Sequence, residues 1–382
     1  MSSEARPMRD LPEFRLEAYF SRWEFEAKYH LTASDAESWT VGELLDLAGP
    51  DARAELEGLA LGYTPTWGTD ALRAAIADTY NFVSPEHVLV FAGAQEALYW
   101  ALQELLAPGD HAIVTVPNYQ SLESIPLAVG AAVDGLALRA EDGWALDLDA
   151  LEALLKPETR VIAVNFPNNP TGAVPDAEAF RRLAEICDER GIVLFSDEVY
   201  RGLEQDPART LRQAADLSAR AVSLNVMSKA YGLPGLRIGW LACRDHGLLE
   251  RLERRKHYTS ICSAGPSEHL ATLALHHRDA LLTRNRGIVA DNLPRFAAFF
   301  ARFADRFEWT PPQGGCVAFP RLTTGEPASA FCRRLVEEAG VLLLPADVYA
   351  SDLAPVPEDR FRIGVGRRDP DAALAAFADF LE

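Results

Sequence analysis

Two rhythms alternate through the middle of the chain. Short runs are apolar at nearly every position: HVLVF (87–91), HAIVTV (111–116), VDGLAL (133–138), VIAVNF (161–166), IVLFS (192–196), AVSLNV (221–226) and RIGWLAC (237–243). Between them lie stretches with helical spacing, such as AQEALYWALQELL (94–106) and PDAEAFRRLAEICDERG (175–191). A strand without polar alternation is covered on both faces, as in a parallel sheet. The strand–helix–strand order therefore predicts an α/β fold with a mostly parallel, seven-stranded sheet covered by helices.

The pattern differs at both ends. FRLEAYFSRWEFEAKY (14–29) is apolar or aromatic at 16, 19, 20, 23 and 27, a helical spacing, and WTVGELLDLA (39–48) predicts a second helix. After residue 280, LLTRNRGIVADNLPRFAAFFARF predicts one long helix, interrupted or bent at Pro294. Short apolar runs (GGCVAFPRL, VLLLP, RFRIGVG) and two further helices follow. They predict a smaller α+β domain built from the C-terminal segment and the N-terminal arm. The expected divisions are 1–45 for the arm, 46–280 for the large domain and 281–382 for the small one.

Composition narrows the partners. The chain has 382 residues, 48% of them hydrophobic and 24% charged, as in ordinary globular proteins. Its net charge of −19 repels nucleic acid and anionic membranes. No apolar run approaches the roughly 20 residues of a membrane span. The segment MSSEARPMRDLPEF lacks the apolar core of a signal peptide. Cys187, Cys243, Cys262, Cys316 and Cys332 are scattered, with no CxxC pair. Reduced thiols and a cytoplasmic location are the expectation.

The candidate chemistry centres on NVMSKAYGLPGLRIGW (225–240). It is no phosphate loop, since GxxxxGK[ST] and a helix-opening GxGxxG are both absent; so are HExxH and GxSxG. Lys229 closely follows an apolar strand. The carboxyl ends of parallel strands face the crevice where α/β proteins bind ligands. A lysine desolvated there loses its proton near neutral pH, as a Schiff-base lysine must. The other strand ends supply compatible groups: Asp197 and Tyr200 in SDEVYRG, Asn169 in PNNPTG, Ala94 and Gln95 in AGAQEAL, and Tyr119 in PNYQS. Taken singly, each has an ordinary reading as a turn, a cap or packing.

Taken together, GYTPTWGTDALRAAI, FAGAQEAL, VPNYQS, NFPNNPTG, SDEVY, SKAYGLPGLRIGW, PQGG and RFRIGVG resemble the class I/II, fold-type I aminotransferases that depend on pyridoxal phosphate (PLP). The blocks stand in the family's order from about residue 62 to 367. The resemblance implies an enzyme that moves an amino group between an L-amino acid and a 2-oxo acid. It implies Lys229 as the Schiff-base lysine and Asp197 as the partner of the pyridine nitrogen. Tyr200 and Asn169 become donors to the ring's phenolic oxygen, and Tyr119 the stacking aromatic. Ala94, Gln95 and Arg237 match phosphate-binding positions. Tyr63 matches a tyrosine that reaches the phosphate of a neighbouring subunit, which implies a homodimer. Arg362 resembles the arginine that clamps the substrate α-carboxylate, with Asn169 beside it.

The chain also departs from the family. Val226 stands where many relatives carry a hydroxyl that binds the phosphate, and Ser228 is a partial substitute. The loop LTASDAESWT lacks the glycine often found near the substrate, which leaves residues 33–36 without an assigned contact. Both stretches are similar to a subgroup that includes capreomycidine synthase, which cyclises an arginine derivative. Alternatives on the same scaffold are a β-elimination lyase or cyclase, and a PLP-sensing regulator. Residues near Lys256–Ser263 and VYASDLA (348–354) are further candidates for specificity.

Overall fold

A computed structural model describes residues 11–382. Its strands are β1 (Tyr29–His30), β2 (Val88–Phe91), β3 (His111–Val116), β4 (Ala132–Ala137), β5 (Thr159–Asn165), β6 (Val193–Asp197), β7 (Val222–Val226), β8 (Gly239–Ala242), β9 (Phe307–Glu308), β10 (Val317–Ala318), β11 (Arg321–Leu322), β12 (Val341–Leu342), β13 (Leu344–Pro345) and β14 (Phe361–Gly364). The seven apolar runs become β2 to β8, joined in the order β2-β8-β7-β6-β5-β3-β4. Pairing is parallel except where β8 runs against β2 and β7.

Alternate side chains of these strands enter two different cores. Leu89 and Phe91 pack with Leu98 and Leu102 of the helix Ala94–Leu105. Val88 and Val90 face the opposite side, with Leu72, Trp240 and Leu270. Both faces being covered explains why the runs show no polar alternation. The edge strand β4 is the exception, with most of its residues half-buried. The helix Ala177–Arg190 shows the local logic of the connections. Asp176 caps its N-terminus by accepting from the Glu178 and Ala179 N–H groups, and Gly191 ends it at φ 69°.

The terminal regions meet in smaller sheets. β1 pairs in parallel with β12, Tyr29 opposite Val341, so the N-terminal arm is bound to the C-terminal segment. β14 lies between β10 and β13, and β9 pairs with β11. Phe296, Phe299, Phe300, Phe307, Phe331, Phe361 and Phe377 fill the core beneath them. Two expectations need correction. The first helix spans only Arg15–Trp23, because Tyr29 gives its backbone to β12. The long helix runs from Arg278 to Arg302 through Pro294 without interruption.

Candidate active site

The strand directions decide what meets at one edge of the large sheet. The carboxyl ends of β2, β3, β5, β6 and β7 lie together there. Because β8 is reversed, its amino end lies there too. Lys229, three residues after β7, and Arg237, two before β8, therefore reach the same edge from opposite directions. The loop between them closes through Met227 N–H to the Ile238 carbonyl and Leu233 N–H to the Met227 carbonyl, both 2.9 Å. Gly232, at φ 69°, admits the segment 34–37: a Cβ there would lie 2.7 Å from the Glu37 carbonyl oxygen.

That segment supplies contacts left unassigned by sequence. Lys229 Nζ donates to Ser34 Oγ at 2.8 Å, and the Ala36 N–H bonds to the Lys229 carbonyl at 3.2 Å. Burial pushes the Lys229 amine below its ordinary value. Asp35 opposes that shift and Arg362 adds to it. Asp35 itself is paired with Arg367 at 2.8 Å. Gly364 of β14 lets Ala33 lie directly against the strand, in space that a Cβ would fill.

Asp197 ends β6 opposite Asn165 of β5. Burial pushes its carboxyl up to about 7, against the Val199 N–H, the Lys229 charge and the Asn165 amide. Among the described residues no cationic side chain lies within 4.0 Å of it. Tyr200 is 2% exposed and lies against Gly315, where a Cβ would be 3.4 Å from its ring. Tyr119 lies past the end of β3, its ring 4.9 Å from that of Phe14, and its hydroxyl donates to Glu17 Oε1 at 2.9 Å.

Arg362 is the most fully enclosed charge in the site, at 1% exposure. Nη1 donates to Asn169 Oδ1 at 3.1 Å and to the Tyr349 hydroxyl at 2.8 Å, while Nη2 donates to the Thr32 carbonyl at 2.9 Å. Tyr349 also donates to Asn169 Oδ1, at 3.0 Å. Nε is buried without a partner, and no carboxylate within the described residues pairs with the guanidinium. Arg362 and Asn169 are thus one linked unit. Tyr349, which completes it, had no sequence signal beyond its place in VYASDLA.

At the far end of β2, Gly93 (φ 91°) turns the chain into the helix that begins at Ala94 and Gln95. The first N–H groups of a helix have no partners within it and suit an anion. Gly239 makes room for this turn, since a Cβ there would be 2.6 Å from the Gly93 carbonyl carbon and 2.7 Å from the Ala94 nitrogen. The Arg237 guanidinium rests on Gly93, in the space a Cβ would take, and donates to the Pro234 carbonyl at 3.1 Å. Gln95 Nε2 donates to Ser121 at 2.8 Å. Ser228 is buried beside Lys229, whereas Val226 packs with Val199, Tyr200 and Ala94. At Val226 an apolar contact therefore replaces the hydroxyl.

Two sequence candidates lie elsewhere. Tyr63 is 95% exposed and joins none of these groups within one chain. Lys256 is a buried lysine whose Nζ donates to the Thr66 carbonyl beneath the Phe91 ring. Its role as a surface or substrate-facing group is not supported, because the ammonium is enclosed by this backbone.

The assembled parts fit PLP: an anion cradle at the start of a helix, a buried carboxyl needing a cationic partner, and an amine of lowered basicity between them. This is the arrangement of a PLP-dependent enzyme. The sequence profile of the family "Aminotransferase class I and II" matches residues 36–377. The chain belongs to that family and is a PLP-dependent aminotransferase. It is 35% identical to capreomycidine synthase of Streptomyces vinaceus, over 97% of this chain and 94% of that one. It is 32% identical to arginine–pyruvate transaminase AruH of Pseudomonas aeruginosa, over 81% of each. A solved PLP-dependent aminotransferase from Streptococcus suis superposes with a TM-score of 0.90 at 33% identity, covering 97% of this chain and 98% of that one.

The Asp197 environment has a measurable consequence in cofactor-free protein. Its carboxyl titrates near 3.8 when unfolded and at about 7 when folded, so the native state holds a proton that the unfolded chain releases. The associated stability is present at low pH and lost as pH rises through 7. Between pH 5 and 8 the Asp197→Asn protein should therefore gain about 2–3 kcal/mol relative to the unmodified one. Urea midpoints at the two pH values check this, and an unchanged difference refutes it.

Proposed function

We propose that Lys229 carries the cofactor and moves the proton that amino transfer requires. The single observation behind this reading is its amine: half-buried, lowered in basicity, bonded to Ser34, and electrostatically coupled to both Asp197 and Arg362. PLP, when bound, supplies the carbonyl that takes the donor's amino group and a ring that accepts the electron pair left at Cα. Arg362, with Asn169 beside it, holds the donor's α-carboxylate through its fork of N–H groups. That would anchor the donor with its Cα proton toward Lys229, whose neutral amine would remove that proton as general base and hold it at Nζ. Asp197 stabilises a protonated ring nitrogen, a charge its buried carboxyl otherwise lacks. Tyr200 and Asn169 donate to the ring oxygen, and Tyr119 offers a flat face. Ala94, Gln95, Ser228 and Arg237 hold the phosphate.

The same reading makes the protein a cytoplasmic homodimer in which Tyr63 reaches the neighbouring site. Its support is a set of solvent-facing side chains on adjoining loops: Leu61 (85% exposed), Tyr63 and Tyr258 (88%), with Thr64 bonded to the Ser263 carbonyl at 2.8 Å. Exposed apolar groups clustered in this way mark an interface. The five free cysteines suit a reducing compartment. The small domain comprises 281–382 with the arm 1–45, of which residues 1–10 lie outside the described residues, and 46–280 forms the cofactor-binding part. Sedimentation at micromolar concentration should return a dimer; a monomer at that concentration counts against it.

Incubating the holoenzyme with single L-amino acids tests the reaction. Amino transfer converts the cofactor to pyridoxamine phosphate and releases one 2-oxo acid per site. The similarity to capreomycidine synthase favours one competing outcome. A cyclised product, or pyruvate with ammonia and no pyridoxamine phosphate, would replace transamination with cyclisation or elimination.

A further inference from the structure

Two charged side chains, one enclosed in the site and one exposed on the helix beside it, lack a counter-ion among the described residues, and their signs are opposite. One is Arg362. The other is Glu17, on the helix Arg15–Trp23. Glu17 Oε1 accepts from the Tyr119 hydroxyl at 2.9 Å; among the described residues Oε2 has no partner and no Lys, Arg or His nitrogen lies within 4.0 Å of the carboxylate.

The helix is held in place, so Glu17 has a defined position. Arg15 N–H donates to Gln120 Oε1 at 3.0 Å, Gln120 Nε2 to the Glu13 carbonyl at 2.9 Å, and the Tyr19 hydroxyl to the Leu343 carbonyl at 3.2 Å. The Arg15 side chain is turned aside to the Ala350 carbonyl and Glu123, so it does not neutralise Glu17. Phe20 shares the helix face with Glu17, three residues on, and its ring centre lies 5.8 Å from the Arg362 guanidinium. Phe20 therefore bridges from the Glu17 helix face to the enclosed Arg362, and both charges bear on the Lys229 amine. The other nearby carboxylates are engaged. Asp35 is paired with Arg367, Glu123 is buried and accepts from Ser351 at 2.7 Å, and Asp197 lies at the sheet end.

We propose that Glu17 is a specificity-determining residue that selects amino donors whose side chain ends in a cation, a guanidinium or an ammonium group, while Arg362 holds the α-carboxylate. This rests on the amino-transfer reading and on Arg362 as its carboxylate anchor. An unpaired carboxylate attracts the cationic end and repels an acidic side chain, so it selects in both directions. The Tyr119 hydrogen bond limits the rotamer freedom that a surface carboxylate would otherwise lose on binding.

The test compares kcat/KM of the holoenzyme and of Glu17→Gln in the half-reaction with L-arginine, L-ornithine, L-glutamine and L-alanine. The unmodified enzyme should favour a cationic donor over L-glutamine by at least about tenfold. Glu17→Gln should reduce that ratio by about tenfold, mainly through KM, and should abolish the rise of KM with added sodium chloride. The arginine-to-ornithine ratio identifies which cation is read. Turnover with the cationic-to-neutral ratio unchanged by the substitution would overturn the Glu17 proposal alone. So would equal use of L-glutamine and the cationic donors by the unmodified enzyme. No reaction with any donor would overturn the amino-transfer reading and the proposal with it. Glu17 is exposed on a helix surface, and circular dichroism verifies that the variant folds.

Discussion

Lys229→Ala protein is expected to lose amino transfer by at least about 10⁴-fold, the upper range for a general base, since the same side chain also carries the cofactor. No neighbour replaces it. Ser34, the hydrogen-bond partner of Nζ, is a hydroxyl and offers no amine to hold the cofactor or take the proton. The substitution removes an amine whose burial is itself unfavourable, so folding should survive. Two readouts separate chemistry from structure. Borohydride should no longer fix cofactor to the protein, and a small external amine such as methylamine should restore part of the rate. A folded Lys229→Ala protein within about 100-fold of the unmodified rate would refute the assignment.

The second large effect belongs to Arg362. Arg362→Lys should lower kcat/KM about 10²–10³-fold, the cost of breaking a buried, hydrogen-bonded charge pair. Charge is retained, but the fork is not. Nη1 serves both Asn169 and Tyr349 and Nη2 serves the Thr32 carbonyl, so a single ammonium leaves buried acceptors without donors. The orphaned Nε is also lost as a further donor for a carboxylate. The loss should fall mainly on KM, and unreactive carboxylates that inhibit the enzyme should weaken in parallel. A kcat/KM within threefold of the unmodified enzyme would refute the anchor. Asn169 makes this effect distinctive, because it links the arginine to the ring-facing groups. Loosening Arg362 should disturb both.

The strand ends were readable because they combine two local signals, an uninterrupted apolar run and a polar residue at its close. That placed Lys229, Asp197 and Asn169 at one sheet edge, as parallel strands require. Arg237 was readable only through resemblance, since the reversal of β8 is a pairing choice between distant segments. Glu17 was not legible as a site residue, and Ser34 and Tyr349 were legible only as members of the candidate segments 33–36 and VYASDLA (348–354). They enter from the arm and from a loop after β13, and their neighbours in sequence carry no distinctive pattern. Lys256 misled for the converse reason: a charged residue among polar neighbours suggests solvent or substrate contact, yet its ammonium is held on the Thr66 carbonyl over the Phe91 ring.

Local sequence alone therefore determined the α/β class, the seven sheet strands, the helices between them and the groups at their ends. These depend on short-range periodicity and on side-chain chemistry. Tertiary structure decided which way β8 runs, how the arm crosses the site, and which charges remain without partners. Those features arise from contacts between residues hundreds of positions apart, such as Arg362 with Thr32 or Lys229 with Ser34. The energy of a buried charge depends on every group around it, and that surrounding set exists only once the chain is folded.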